Sequence, residues 1–326
     1  MTEGRPKNLT QPTCPVCGAE GLSWRQEHSS PDRSTTYSLH GCDRCGVEHW
    51  RPLEHPGAEF YQNEQVMIYR ALHEAGDRND PRFAKFFEEF PSVRGMRALD
   101  IGCSNGEFLA KLGAAGAEVW GIDIDTKALE IARSRGLRNI FALTASEFVD
   151  KAIRDELRFD LITAFDVVEH LTDPIGVLRQ LSTILAPGGK FVGTVPNRRR
   201  LLVNQMPIDF PPHHFFRFDT ASLEAALTKG GLLPVRVQAF QYNYSAMAAL
   251  DLGQKSARRW IAHRQHAVPD DSTAAPPPSL RGRTSSLRRA KQALVRAYAM
   301  ISTPVAYALE VPRQRGFKLY FAAEKA

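Results

Sequence analysis

Residues 96–108 read Met96-Arg97-Ala98-Leu99-Asp100-Ile101-Gly102-Cys103-Ser104-Asn105-Gly106-Glu107-Phe108. An apolar run closes on Asp100, a glycine-bracketed turn follows, and Glu107-Phe108 opens the next element. The pattern predicts a short strand, a tight turn and the start of a helix. Gly102 and Gly106 tolerate left-handed backbone and leave room for a ligand close to the chain. In an open α/β sheet, ligands lie beyond the carboxyl ends of the strands, so this turn is a candidate nucleoside site. Two phosphate-binding alternatives fail on individual residues. A P-loop continues from its last glycine with Lys and then Ser or Thr, where Glu107-Phe108 stand here. A dinucleotide fingerprint needs glycine where Ser104 stands. An acid directly after the last glycine serves a pyrophosphate poorly and a cationic ligand well.

The next apolar stretch, Glu118-Val119-Trp120-Gly121-Ile122-Asp123, ends in an acid. It lies about 20 residues past the turn, where a carboxylate accepts ribose hydroxyls. A glycine turn without phosphate features, followed by a ribose-binding acid, resembles the S-adenosylmethionine site of class I methyltransferases. Their first motif runs roughly Asp-x-Gly-x-Gly-x-Gly. The chain departs from it at Ser104, a small residue compatible with the same turn. The resemblance implies that Asp100, Gly102, Ser104, Gly106 and Asp123 hold the cofactor, with Ile124, Thr144, Ala145 and Phe165 beside them. Thr144 and Ala145 match the family's adenine-contacting position; a helix N-cap at Thr144 or Ser146 explains that segment equally well.

The chain has 326 residues, 42 Lys and Arg against 36 Asp and Glu, and a formal net charge of +6. That length fits one large domain or a domain with appended modules. The mildly basic balance permits an acidic substrate, an anionic membrane or nucleic acid, and requires none of them. Residues 1–11 are polar and carry no apolar signal region, which predicts a cytoplasmic protein. No uncharged apolar run reaches the ~18 residues of a spanning helix.

Four of the five cysteines form two knuckles, Cys14-Pro15-Val16-Cys17-Gly18 and Cys42-Asp43-Arg44-Cys45-Gly46. Two Cys-x-x-Cys pairs suit tetrahedral thiolate binding of a structural zinc ion. Disulfides are the alternative, and a cytosolic chain disfavours them. Four thiolates close the site, so this zinc folds a module and catalyses nothing. His28, His40, His49 and His55 are then surface residues, and Cys103 packs in the turn.

Residues 56–95 read as a helical connector, with Phe60, Tyr61, Met67, Ile68, Tyr69 and Leu72 and then Phe83, Phe86, Phe87 and Phe90 at helical spacing. It either packs between ribbon and main domain or forms a lid over the cofactor. From 96 to 196, strands expected near 97–101, 118–123, 139–143, 159–165 and 190–196 alternate with helices. That alternation implies a parallel sheet covered on both faces. Pro187-Gly188-Gly189 is the expected turn into the fifth strand.

The fourth strand runs into Phe165-Asp166-Val167-Val168-Glu169-His170. This resembles the Glu-x-x-Glu-His segment of ubiquinone-biosynthesis O-methyltransferases and their relatives. In some relatives two such acids and the histidine join another histidine to hold a divalent metal. The resemblance makes Asp166, Glu169 and His170 candidates for catalysis or for a second divalent ion; the alternative is a structural Glu169 with His170 lining a metal-free acceptor pocket. The Asn/Asp-Pro-Pro-Tyr tetrapeptide of base N-methyltransferases is absent here, which favours transfer to oxygen or carbon. The loop Met206-Pro207-Ile208-Asp209-Phe210-Pro211-Pro212-His213-His214 presents two histidines on stiff prolines. His214, and after it His170, is the candidate general base. His213 reads as a packing or capping residue.

The resemblance places a sixth strand at 233–240 and an antiparallel seventh at 316–323, with an insert between them. In that insert, 246–266 reads as a basic helix, 269–286 as a disordered Pro/Ser/Ala-rich linker, and 287–311 as a basic amphipathic helix. The last either packs on the protein or touches an anionic membrane from the cytoplasmic side.

The expected architecture is α/β: a Rossmann-like, seven-stranded class I methyltransferase sheet. A zinc ribbon (1–55) and a connector or lid (56–95) precede the catalytic domain (96–240 plus 316–326), which 241–315 interrupts. The expected function is S-adenosylmethionine-dependent O-methylation of a small molecule, sugar or lipid-linked glycan. An RNA 2′-O-methyltransferase and a non-catalytic scaffold are the alternatives; no base-stacking module speaks for nucleic acid.

Overall fold

The computed structural model describes residues 13–30, 33–54, 57, 60, 80–200, 209–240 and 316–326. The expectations for 61–79 and for the insert 241–315, the basic amphipathic helix 287–311 among them, lie outside these residues, as does His55. Three strands come first: β1 (Ser23–Ser29), β2 (Thr36–Gly41) and β3 (Glu48–Arg51). Helix α1 (Pro81–Glu89) leads into β4 (Arg97–Ile101), α2 (Glu107–Ala114), β5 (Glu118–Ile122) and α3 (Thr126–Ser134). Then come β6 (Ile140–Phe141), α4 (Ala145–Arg154), β7 (Phe159–Phe165), α5 (Pro174–Ile184) and β8 (Leu185–Pro196). The chain closes with β9 (Phe216–Arg217), α6 (Thr220–Lys229), β10 (Leu232–Phe240) and β11 (Lys318–Lys325).

Seven strands form the main sheet in the order β10-β11-β8-β7-β4-β5-β6. From β8 to β6 neighbouring strands are parallel; β11 alone runs against β8 and β10. This is the expected class I methyltransferase topology. Local chemistry sets the helix starts. Asp80, Asp125 and Asp173 cap α1, α3 and α5 with their side chains, and Thr144 and Asp219 build capping boxes for α4 and α6. Phe86, Phe108, Leu112 and Leu129 cover one sheet face, and Phe148, Leu178, Leu181 and Leu227 the other. Phe86 of α1 sits edge-on to Phe108 with ring centroids 5.1 Å apart, so the described part of the connector packs into the core.

Two boundaries differ from expectation. The third strand shrinks to Ile140–Phe141 because it is the sheet edge, and β5 pairs with only those two residues. The fifth strand begins at Leu185, which pairs with Phe159; Gly188 and Gly189 lie within it, opposite a register irregularity.

The ribbon is not a separate module. Its strands β1, β2 and β3 pair antiparallel, and β9 from the far end of the chain pairs with β3 as a fourth strand. This overturns the surface reading of His49. Flanked by β2 and β9, it is fully buried, and it stacks on Phe216 at 6.0 Å. His28 and His40 are half-buried. His49 Nε2 accepts from Arg51 Nε at 3.2 Å, so the ring proton sits on Nδ1. Burial, with the charges of Arg51 and His40, pushes its pKa down to about 3.

The turn after β4 holds its residues in left-handed backbone, with φ +70° at Gly102, +48° at Ser104 and +74° at Gly106. A Cβ on Gly106 would meet Leu137 Cδ1 at 2.4 Å and Ala132 Cβ at 2.9 Å. Gly106→Ala is therefore expected to cost more than about 2 kcal/mol by denaturant titration, as overpacking added to backbone strain. Ser104→Gly removes only the strain and is expected to change stability by less than about 1 kcal/mol. Similar losses for both variants would contradict this turn geometry.

The depressed pKa of His49 has a defined sign. Above about pH 6.5 both folded and unfolded states carry a neutral imidazole. Below it the unfolded state binds the proton first, so stability falls as pH drops from 6.5 toward the folded value near 3. The slope approaches about 1.4 kcal/mol per pH unit. His49→Phe is expected to flatten the fall in melting temperature between pH 6.5 and 4; an unchanged slope would contradict a neutral buried His49.

Candidate active site

Parallel pairing brings four strand ends level. Ile101 of β4 stands opposite Ile122 of β5 and Ala164 of β7, and Ile122 opposite Phe141 of β6. The Gly102–Gly106 turn, Asp123, the Thr144–Ala145 segment and the residues from Phe165 onward therefore share one edge. Asp123 accepts the Ser104 N–H and the Asp125 N–H, each at 2.8 Å. Each carboxylate oxygen keeps a further lone pair for a ligand hydroxyl. Burial raises its pKa against these two bonds. Asp100 is buried and accepts the Thr163 hydroxyl at 2.6 Å. Burial pushes its pKa up to about 7, only partly offset by Thr163 and by the charge of Arg82. A ligand cation beside Asp100 would relieve that cost. Phe165 packs against Phe108 at 4.8 Å and Phe83 at 5.7 Å, and Ile124 is half-buried. Thr144 is the exposed N-cap of α4, whereas Ala145 is buried.

Beyond β7 the chain bends through Asp166 at φ +60° into a 3₁₀ turn over Val168–His170. Asp166 does not join the candidate metal ligands. It pairs with Arg82 at 2.8 Å and with Lys318, and accepts the Thr194 hydroxyl at 2.8 Å. Burial alone would raise its pKa, but the Lys318 and Arg82 charges outweigh burial and hold the carboxyl well below the usual range. Arg82 also forks onto Asp80, so Asp166 ties α1 and β11 to the site. Arg82 and Lys318 escaped sequence reading because their partners are distant in the chain.

Glu169, His170 and His214 do converge, with candidate ligand atoms all within 4.8 Å of one another. Glu169 is fully buried, and neither carboxylate oxygen has a hydrogen-bond partner among the described residues. Burial drives its pKa well up, and the nearby Asp166 charge adds to this. His170 Nδ1 donates to the His213 carbonyl at 2.7 Å, which leaves the lone pair on Nε2. Burial pushes the His170 pKa well down, and the neighbouring His214 acts in the same direction. His214 Nε2 lies 4.0 Å from Glu169 Oε1, and its Nδ1 3.6 Å from Asp209 Oδ1. Arg200 pairs with Asp209 behind it. His213 serves through its backbone, while its ring stands edge-on to Phe60 at 4.7 Å. Two imidazoles and a buried carboxylate without a hydrogen-bond partner among the described residues form a donor set suited to a divalent transition metal.

In the ribbon, Cys14 Sγ lies 3.6 Å from Cys45 Sγ and Cys17 Sγ 3.6 Å from Cys42 Sγ. All four sulfurs fall within 4.8 Å of one another, and none is in a disulfide. Tetrahedral zinc with Zn–S near 2.3 Å needs sulfurs about 3.8 Å apart. Matching turns support the pairs: Gly18 N–H donates to Cys14 O at 2.9 Å and Gly46 N–H to Cys42 O at 2.8 Å. The four thiols fit zinc.

Residues 71–237 match the methyltransferase domain family. The ubiquinone biosynthesis O-methyltransferase of Ralstonia nicotianae is 27% identical over 228 residues, 64% of this chain and 89% of that protein. The protein of the same name from Bordetella bronchiseptica is 28% identical over 213 residues, 62% and 85% of the two chains. A SAM-dependent methyltransferase structure from Archaeoglobus fulgidus shares 19% identity at a TM-score of 0.45, covering 74% of this chain and 92% of that one. The family match spans the glycine turn, Asp123 and Glu169-His170, and the chain belongs to the methyltransferase domain family as a class I enzyme that uses S-adenosylmethionine.

Proposed function

We propose that this enzyme methylates a hydroxyl oxygen on a small molecule or glycan bound against Glu169, His170 and His214. One observation carries the reading: a fully buried Glu169 whose two oxygens accept no hydrogen bond from the described residues, beside two imidazoles. An unsatisfied carboxylate in a core is costly, so it persists where a ligand completes it. The O-methyltransferase names of the relatives point the same way.

S-Adenosylmethionine supplies a methyl group on a sulfonium, open to in-line attack by oxygen. Asp123 accepts the ribose hydroxyls, and the turn from Gly102 to Gly106 lets the nucleoside lie close to the backbone. The Asp100 carboxylate favours the cofactor's positive charge. Thr144 and Ala145 border the adenine, and Phe165 packs on Phe108 in the helix that follows the turn. Glu169, His170 and His214 would hold a divalent cation, which would supply orientation of the acceptor oxygen and acidification of its hydroxyl. Alignment of donor and acceptor supplies much of the rate. A metal-free reading is favoured by Asp209 behind His214 Nδ1. There His214 takes the hydroxyl proton and Asp209 orients the ring.

Glu169→Gln separates the two. With a cation, the variant is expected to lose divalent-ion uptake by elemental analysis and at least about tenfold of its methyl transfer to vicinal-diol acceptors. Retained transfer in Glu169→Gln, with loss in His214→Ala, would establish the metal-free base. Retained transfer in both would overturn the acceptor-site reading. Asp123→Ala is expected to weaken S-adenosylmethionine by about 1–3 kcal/mol in calorimetry, the worth of hydrogen bonds to a charged group. Unchanged affinity would overturn the ribose assignment.

The ribbon cysteines hold zinc in this proposal. Purified protein is expected to contain stoichiometric zinc that Cys42→Ser loses together with thermal stability, because a closed thiolate site contributes folding free energy. Zinc-free protein of undiminished stability would contradict it.

A further inference from the structure

We propose that the ribbon residues His28 and Trp50 are positioning residues for His214, so that the ribbon forms the back wall of the acceptor site. This rests on the reading of Glu169, His170 and His214 as that site. Strand β9, which completes the ribbon sheet, begins two residues after His214. The Trp50 N–H donates to the Phe215 carbonyl at 2.8 Å, and the Phe215 N–H donates to the Glu169 carbonyl at 2.9 Å. Phe215 thus links the ribbon to the 3₁₀ turn carrying Glu169 and His170 through two backbone hydrogen bonds.

Side chains form a second link. The ring of Phe210 stacks on His28 at 4.5 Å with 30° between planes, and lies 5.8 Å from Trp50. His28 meets Trp50 edge-on at 5.9 Å, so three rings from three chain segments close on one another. The Phe210 carbonyl accepts the His213 N–H at 3.1 Å and the His214 N–H at 3.4 Å. Phe210 is therefore the foot of the turn that presents both histidines, and its ring is held by the ribbon. The Pro211-Pro212 pair between them removes backbone freedom, so a shift at Phe210 is passed to His214 instead of being absorbed. Strand β9 pairs with β3 over two residues only. A pairing that short fixes a loop poorly by itself, so the aromatic contacts add to the Phe215 hydrogen bonds in setting its position. Trp50 is fully buried and His28 half-buried, so the clamp has an inner and an outer jaw.

The cofactor edge lies outside this clamp: Asp123 and the glycine turn bond to each other and to β5. Disturbing the clamp therefore moves the acceptor side and spares the nucleoside side. The test uses full-length protein with isotope-labelled histidine and bound S-adenosylhomocysteine. The readouts are the imidazole chemical shifts of His170 and His214 at one fixed pH, and S-adenosylhomocysteine affinity by calorimetry. His28→Ala and Trp50→Ala are expected to shift the His214 imidazole signals, with affinity held within about twofold. His28→Phe, which keeps a stacking ring, is expected to restore them. Unmoved His170 and His214 signals in folded His28→Ala would overturn the proposal. So would a parallel loss of cofactor affinity, the mark of a general folding support. If Trp50→Ala does not fold, His28→Ala decides, because its half-buried ring can be removed without opening the core. These signals report ring position and not turnover, so a failure of the acceptor-site reading shows separately in the Glu169 and His214 variants.

Discussion

Parallel pairing of β4 with both β5 and β7 is the constraint on which the site depends. It sets Ile101 level with Ile122 and Ala164, and so places the glycine turn, Asp123 and the Asp166–His170 segment along one edge. The hydrogen bond from the Ser104 N–H to Asp123 then locks the turn to the end of β5. Glycine is the usual residue at such a left-handed position; here a serine occupies it, held by that bond at its own backbone. The cofactor half of the site is thus made of short-range geometry repeated at strand ends.

That half was legible in the sequence. Period and turn residues carry the alternation, and the meeting of Asp100, Gly102, Gly106 and Asp123 at one edge follows from their local spacing. Asp166 was misjudged for the opposite reason. Its position beyond β7 suggested a ligand beside Glu169, but its partners Arg82 and Lys318 come from α1 and β11, and a carboxylate committed to two cations has little left for a metal. His49 was misjudged likewise. Only the arrival of β9, a two-residue strand far along the chain, turns its face of the ribbon into an interior. Strand pairing between such distant segments leaves no periodic trace.

The two candidate metal centres differ in how their charge is managed. The ribbon places four sulfurs on two matching turns at nearly tetrahedral spacing, so its geometry is already closed. The Glu169 cluster instead buries a carboxylate that has no hydrogen-bond partner among the described residues. No helix among the described residues is long and apolar enough to cross a membrane. The glycine turn and the Glu169 cluster sit along one edge of the α/β sheet, and a backbone hydrogen bond from Phe215, which itself bonds the ribbon, reaches Glu169.

The most direct measurement is a crystal structure of the S-adenosylhomocysteine complex, with anomalous diffraction recorded across the absorption edges of zinc, manganese, iron, cobalt and nickel. The account predicts the ribose on Asp123, a zinc peak among Cys14, Cys17, Cys42 and Cys45, and a second metal peak bounded by Glu169, His170 and His214 on the acceptor side of the nucleoside. A nucleoside bound away from Asp123, or one bound there with Glu169 turned away from both histidines, would contradict it.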